Sequence, residues 1–210
     1  MKIFGIGLNK TGTTTLGACL QQLGYRHSSF GFELLEHLAM GQIEPLLQHV
    51  RQFDSFEDWP YPLVFEQLDQ HFPGSRFILT RRSSPQCWLE SLQAHALRTD
   101  PHMGARTRSL AYGLPYPQLD PEVHLRRYVL HLERVRSYFF SRPSDLLEVC
   151  WEEQASWEPL CTFLQLPMPD LPFPHVNARH PAAPLREQQN LAQLAWYQRL
   201  REDPREALPG

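Results

Sequence analysis

The sequence predicts an α/β fold, with a mainly parallel sheet at its centre and helices packed over it. Short apolar runs alternate with longer stretches of helical spacing along the chain. The first run, Lys2 to Leu8, is almost entirely apolar, as suits a strand buried on both faces. It passes through a tight polar loop directly into a helical stretch, the strand–loop–helix unit of parallel sheets.

The remaining elements follow in order. After the loop Asn9 to Thr15, Leu16, Cys19, Leu20 and Leu23 recur at helical spacing and stop at Gly24, a suitable helix end. A second helix is expected from about Phe32 to Val50, interrupted at Pro45. Phe53 to Phe56 reads as a short strand, and Leu63 to Phe72 as a helix closed by Pro73-Gly74. Arg76 to Thr80 is another apolar strand. The polar turn Arg81 to Ser84 leads into a helix that starts near Pro85 and carries Trp88, Leu89, Leu92 and Ala96. Residues 98–120 hold Pro, Gly and scattered Arg without a period, and read as a long loop over the functional site. A helix from Pro121 to Phe140, a strand from Asp145 to Val149 and a helix from Ser156 to Leu164 follow, the last capped by Ser156. Residues 167–184 are Pro-rich and irregular, and Asn190 to Arg201 forms a last helix. There is no internal repeat, so one domain over 1–202 is expected, with 203–210 a frayed tail.

Composition narrows the function classes. At 42% hydrophobic and 11% aromatic, the 210 residues can bury a core, which excludes wholesale disorder. Twenty Lys and Arg against 23 Asp and Glu leave a net charge of −3, which argues against a nucleic-acid binder. A small anionic ligand still fits, because it needs only a few local cations. Cys19, Cys87, Cys150 and Cys161 form no CxxC pair and no Cys/His zinc spacing, so they read as reduced thiols. No apolar run approaches a membrane span, and the chain starts in a strand rather than a signal peptide. A cytoplasmic location is therefore expected.

The loop Asn9-Lys10-Thr11-Gly12-Thr13-Thr14-Thr15 carries the strongest chemical signal. A loop entering a helix N-terminus offers unpaired backbone N–H groups and the positive end of the helix dipole, a natural phosphate site. Gly12 lets the backbone approach a ligand, Thr13 to Thr15 add hydroxyls, and Lys10 adds a full charge. Three successive threonines are poor helix formers, so their place at a helix start calls for another role. The Walker A order is absent, because Lys10 precedes Gly12 instead of following it, and GxGxxG fails because Lys10 stands where its third glycine belongs.

Lys10-Thr11-Gly12-Thr13-Thr14-Thr15-Leu16 resembles the 5′-phosphosulfate loop of PAPS-dependent sulfotransferases, in particular their bacterial branch. The donor PAPS carries a 3′-phosphate, and the family holds it with an Arg at a strand end and a Ser in the next helix. Phe77-Ile78-Leu79-Thr80-Arg81-Arg82, with Ser91 nine residues after Arg82, is similar to that second motif, and Arg82-Ser83-Ser84-Pro85 before Trp88 extends the likeness. Ser83 stands where the family often has Asp. Asp145 to Val149, Trp157 to Cys161 and Pro172 to Asn177 also look like late segments of the branch. The glycine-rich C-terminal loop of the animal enzymes is absent, which leaves Arg179 as a candidate on the adenosine side.

The resemblance implies a P-loop-type three-layer fold and transfer of a sulfuryl group from PAPS to a hydroxyl or amine of a small-molecule acceptor, with release of PAP. It implies that Lys10, Thr11, Gly12, Thr13, Thr14 and Thr15 hold the 5′-phosphate, that Arg82 and Ser91 hold the 3′-phosphate, and that no metal is required. Lys10 is also the expected stabiliser of charge on the leaving oxygen. For the base, Asp58 in Asp58-Trp59-Pro60 stands 24 residues before Arg82, near the position of the family's His-x-Pro base. Asp54, Glu57, His27 and His95 remain alternatives. The competing readings are an ATP- or GTP-using P-loop enzyme and a non-catalytic nucleotide-binding protein. Acceptor identity and oligomeric state stay open.

Overall fold

The computed structural model describes residues 1–174, 176 and 184–202. Its centre is a five-stranded, all-parallel sheet: β1 (Ile3–Gly5), β2 (His27–Ser28), β3 (Ser55–Phe56), β4 (Arg76–Thr80) and β5 (Leu146–Val149), in the spatial order β2-β3-β1-β4-β5. Among the described residues, helices α1 (Thr13–Gln22), α2 (Phe32–Ala39), α3 (Glu44–Gln52), α4 (Phe65–His71), α5 (Pro85–Ala96), α6 (Pro101–Tyr112), α7 (Pro121–Tyr138), α8 (Glu158–Leu164) and α9 (Pro184–Glu202) surround it. This is the α/β three-layer arrangement expected of a P-loop-type fold.

The two faces of the sheet follow the period of two in the strands. On β1, Ile3 enters a core with Leu16, Cys19 and Leu20 of α1 and Leu160, Cys161 and Leu164 of α8. Its neighbour Phe4 enters the opposite core, with Leu35, Leu46, Val50, Phe65 and Val135 of the helices on that side. On β4, Ile78 joins the first core while Phe77 and Leu79 join the second. Phe4 lies between Phe56 and Phe77, with ring centroids 5.1 and 5.4 Å away. Fully burying side chains of this size contributes about 1.5–3 kcal/mol each, so sheet and helices form only together.

Four expectations change. Ser156 does not cap the helix it precedes, because α8 begins at Glu158 with no side-chain cap. Residues 98–120 are not a long loop: α6 spans Pro101–Tyr112, with the Asp100 carboxylate accepting the N–H groups of His102 and Met103. Its buried residues are Pro101, Ala105, Arg108, Ala111 and Tyr112, mostly small or polar, so the helix leaves no stripe of large apolar residues in the sequence. The helix expected over 32–50 breaks at Met40–Ile43, where Gly41 has φ 77°, while Pro45 sits in the first turn of α3, a position that tolerates proline. The last helix begins at Pro184, earlier than Asn190. The two-residue strand β2 gave no readable pattern. Residues 203–210 and the Arg179 candidate lie outside the described residues.

Candidate functional site

Most of the predicted site groups follow the carboxyl ends of parallel strands, where α/β folds form their ligand crevices. β1 delivers the loop with Lys10, β3 delivers Asp58, β4 delivers Arg82, and β5 ends beside the loop with Trp151 and Glu152.

The loop is fixed from below. Thr11 is 1% exposed, its N–H donates to Leu8 O at 3.3 Å, and its hydroxyl donates to the same oxygen at 2.6 Å. Thr80 of β4 lies 2.6 Å from that hydroxyl. Thr11 therefore anchors the loop, with its N–H and hydroxyl both bonded inside the fold. Asn9 is buried too, its carbonyl accepting Trp88 Nε1–H at 2.9 Å and its side-chain oxygen accepting the Tyr112 hydroxyl. A Cβ on Gly7 would stand 2.1 Å from Thr80 Oγ1, so only glycine lets β1 and β4 approach here.

The far end of the loop runs into α1. Gly12 precedes α1 with φ 95°, and no side chain caps the helix. The first-turn N–H groups of Thr13, Thr14 and Thr15 thus lack a side-chain acceptor, while Thr14 is exposed and Thr15 half-buried. Lys10 has φ 69°, a left-handed conformation that costs a non-glycine residue about 1–3 kcal/mol and tends to persist at functional sites. Among the described residues its ammonium has no hydrogen bond or ion pair. Burial lowers its pKa most, the nearby Asp58 opposes this, and Arg82 and Arg98 lower it further.

Asp58 also has a left-handed backbone, φ 67°. Its Oδ1 accepts the N–H of Trp59 at 2.8 Å. Burial, and secondarily the Glu57 carboxylate, push its pKa up to about 7, against the stabilising N–H of Trp59 and charge of Lys10. The alternatives stand elsewhere. Asp54 pairs with Arg26 at 3.2 Å near the surface, which lowers its pKa. Glu57 is buried under α1, receives the Ser29 hydroxyl and lies 3.7 Å from His27 Nε2. His95, on α5, is pushed down to about 4 by burial and then by Lys10, Arg108 and Arg98, so it is a weak base.

Arg82 is held by Tyr128 and Glu152. Its N–H donates to the Tyr128 hydroxyl at 2.9 Å, and its guanidinium meets Glu152 Oε1 at 2.5 Å. The other oxygen of Glu152 accepts the N–H of Ser83 at 2.7 Å. Arg82 Nε is buried with no partner. The Glu152 carboxylate thus bridges the guanidinium and a backbone N–H. Ser91 is half-buried on α5. Arg81 is spent on Glu148 and Glu153, at 2.8 and 2.9 Å, as a sheet-edge charge.

Sequence reasoning missed Trp151 and Glu152. The indole of Trp151 covers Gly12, donating Nε1–H to its carbonyl at 3.1 Å, and a Cβ on Gly12 would lie 2.3 Å from that ring. The available signal was position, because both residues follow the end of a parallel strand. Arg98, whose charge acts on Lys10 and His95, was missed with α6 and its approach.

Comparison with known proteins gives the family. A family model described as "Sulfotransferase domain" matches residues 2–181. A relative, "Ava biosynthesis cluster protein M" of Aspergillus versicolor, is 29% identical over 216 residues, covering 84% of this chain and 80% of that protein.

Proposed function

Because the chain belongs to the sulfotransferase domain family, we propose that it transfers the sulfuryl group of PAPS to a hydroxyl or amine of a small-molecule acceptor and releases PAP. The observation that carries the reading is the pairing of an ion-pair-free Lys10, beside the uncapped start of α1, with Arg82, whose Nε lacks a partner. An unpaired ammonium and a guanidinium with one free donor fit a ligand that has phosphate at both ends of a ribose.

PAPS, when bound, supplies a sulfuryl group on a phosphosulfate anhydride. The N–H groups of Thr13 to Thr15, reached across Gly12, and the Thr14 and Thr15 hydroxyls hold the 5′-phosphate. Lys10 stabilises the charge that develops on the bridging oxygen as the S–O bond breaks. Arg82 and Ser91 hold the 3′-phosphate, and Glu152 releases Arg82 as they do so. Trp151, whose indole lies against Gly12, offers an aromatic face for the adenine ring. Asp58, beside Lys10, takes the acceptor proton, and its raised pKa suits a base working near neutral pH. Lys10 acts as the local cation, so the scheme has no metal. The name of the fungal relative includes a biosynthesis cluster, which favours a small-molecule acceptor. All four cysteines are unpaired, in keeping with a reducing, cytoplasmic setting.

Calorimetric titration with PAP and with ADP, each with and without magnesium, tests this reading. Tight, metal-independent PAP binding with much weaker ADP binding is the expected result. Equal affinities, or a strict magnesium requirement, would instead assign the site to an ATP-using enzyme.

A further inference from the structure

Arg108 is an anomaly. It lies on α6 and is 3% exposed, yet among the described residues no carboxylate pairs with it. Its guanidinium is positioned by neutral groups only. Nε donates to Pro115 O, Nη1 donates to Thr99 Oγ1 at 2.8 Å, and the plane lies over the Tyr116 ring at 4.8 Å. Gly104, one turn earlier, makes room, because a Cβ there would fall 3.1 Å from Nη1 and 2.5 Å from Thr99 Oγ1. Nη2 is buried with no partner. A second orphaned atom, His124 Nε2, lies within reach of the Arg108 charge.

A buried, unpaired cation is costly, and a structure that holds one rigidly without neutralising it is built for an anion. On α5, His95 lies within range of the charges of Lys10, Arg98 and Arg108, which links the Arg108 cluster to the proposed reaction centre. Arg98 is exposed and has no ion pair among the described residues.

We propose that Arg108, assisted by Arg98, forms a subsite for an oxyanion on the acceptor, so that the acceptor is a hydroxyl or amino compound that also bears a carboxylate or phosphate group. This inference rests on the donor site proposed above, and it goes further by naming the acceptor class. The acceptor's nucleophile faces Lys10 and Asp58 while its oxyanion meets Nη2 of Arg108. A guanidinium edge suits either oxyanion, since its donors match paired oxygens.

The test uses the full chain saturated with PAP, so that both proposed phosphate positions of the donor are filled. Benzoate, phenyl phosphate and the neutral control benzamide are titrated by calorimetry at constant ionic strength. One or both anions should bind while benzamide does not, and the better of the two identifies the oxyanion. Arg108→Gln should weaken anion binding at least about tenfold, in line with the loss of a charge-assisted hydrogen bond. Arg98→Gln, at an exposed position that leaves the fold intact, should weaken it several-fold. Both variants should keep the PAP affinity of the parent. Failure of the parent to bind PAP would overturn the donor reading. Normal PAP binding with no anion binding, or with anion affinity unchanged in both variants, would overturn the oxyanion subsite alone.

Discussion

The Thr11 and Thr80 hydroxyls lie 2.6 Å apart in the buried seam between β1 and β4. Thr11 uses its own proton on Leu8 O, so the Thr80 hydroxyl donates to Thr11 Oγ1. This bond joins the two proposed phosphate motifs, because Lys10 adjoins Thr11 and Arg82 stands two residues beyond Thr80. Thr80→Val keeps the volume and leaves Thr11 short of one donor. It should destabilise the fold by about 1–3 kcal/mol, measured by urea unfolding, and weaken PAP binding measured in parallel.

Lys10→Ala should leave far-UV circular dichroism unchanged and reduce sulfuryl transfer about 10²–10³-fold or more, the scale of losing one charge-stabilising donor. A rate assay with radiolabelled PAPS measures it. Lys10→Ala with parental turnover would remove Lys10 from the leaving-oxygen role.

Arg82 and Glu152 should have opposite effects. Arg82→Ala removes a charged donor and should cost about 1.5–3 kcal/mol of PAP binding. Glu152→Gln removes the carboxylate that now holds the guanidinium, and should tighten PAP binding. Titration calorimetry reads both. Tighter binding would not follow if Glu152 only supported the turn at Ser83.

Asp58 makes two pH predictions. As the base it must be ionised, so turnover should rise with pH through about 7, and Asp58→Asn should abolish that limb while sparing PAP affinity. Its folded pKa is raised above the ordinary 3.8, so the protonated form is favoured by folding. That stability is fully present below 3.8 and is lost as pH rises through about 7. Asp58→Asn should therefore flatten the decline of Tm across this window, as followed by differential scanning calorimetry.

The loop at Lys10 stood out because its signal is local. A run of Thr at a helix start, with Lys10 and Gly12 before it, contradicts helix propensity and asks for another role. The strands were legible because a parallel sheet buries both faces, leaving near-continuous apolar runs such as Arg76 to Thr80. α6 escaped because it buries Ala105, Arg108 and Ala111 rather than a stripe of large side chains, although Asp100-Pro101 signalled its start.

Residue order alone thus established the alternation of strand and helix, the loop at Lys10 and the Arg82 turn, since each depends on neighbours within one or two helical turns. It did not reveal that Trp151 covers Gly12, that Glu152 occupies Arg82, or that Arg108 is buried with no counter-ion among the described residues. Those relations join residues 139 and 70 positions apart, or depend on what is missing around a side chain. They exist only once the sheet brings the carboxyl ends of β1, β3, β4 and β5 to one edge, because that burial sets which charges lose water and which find partners.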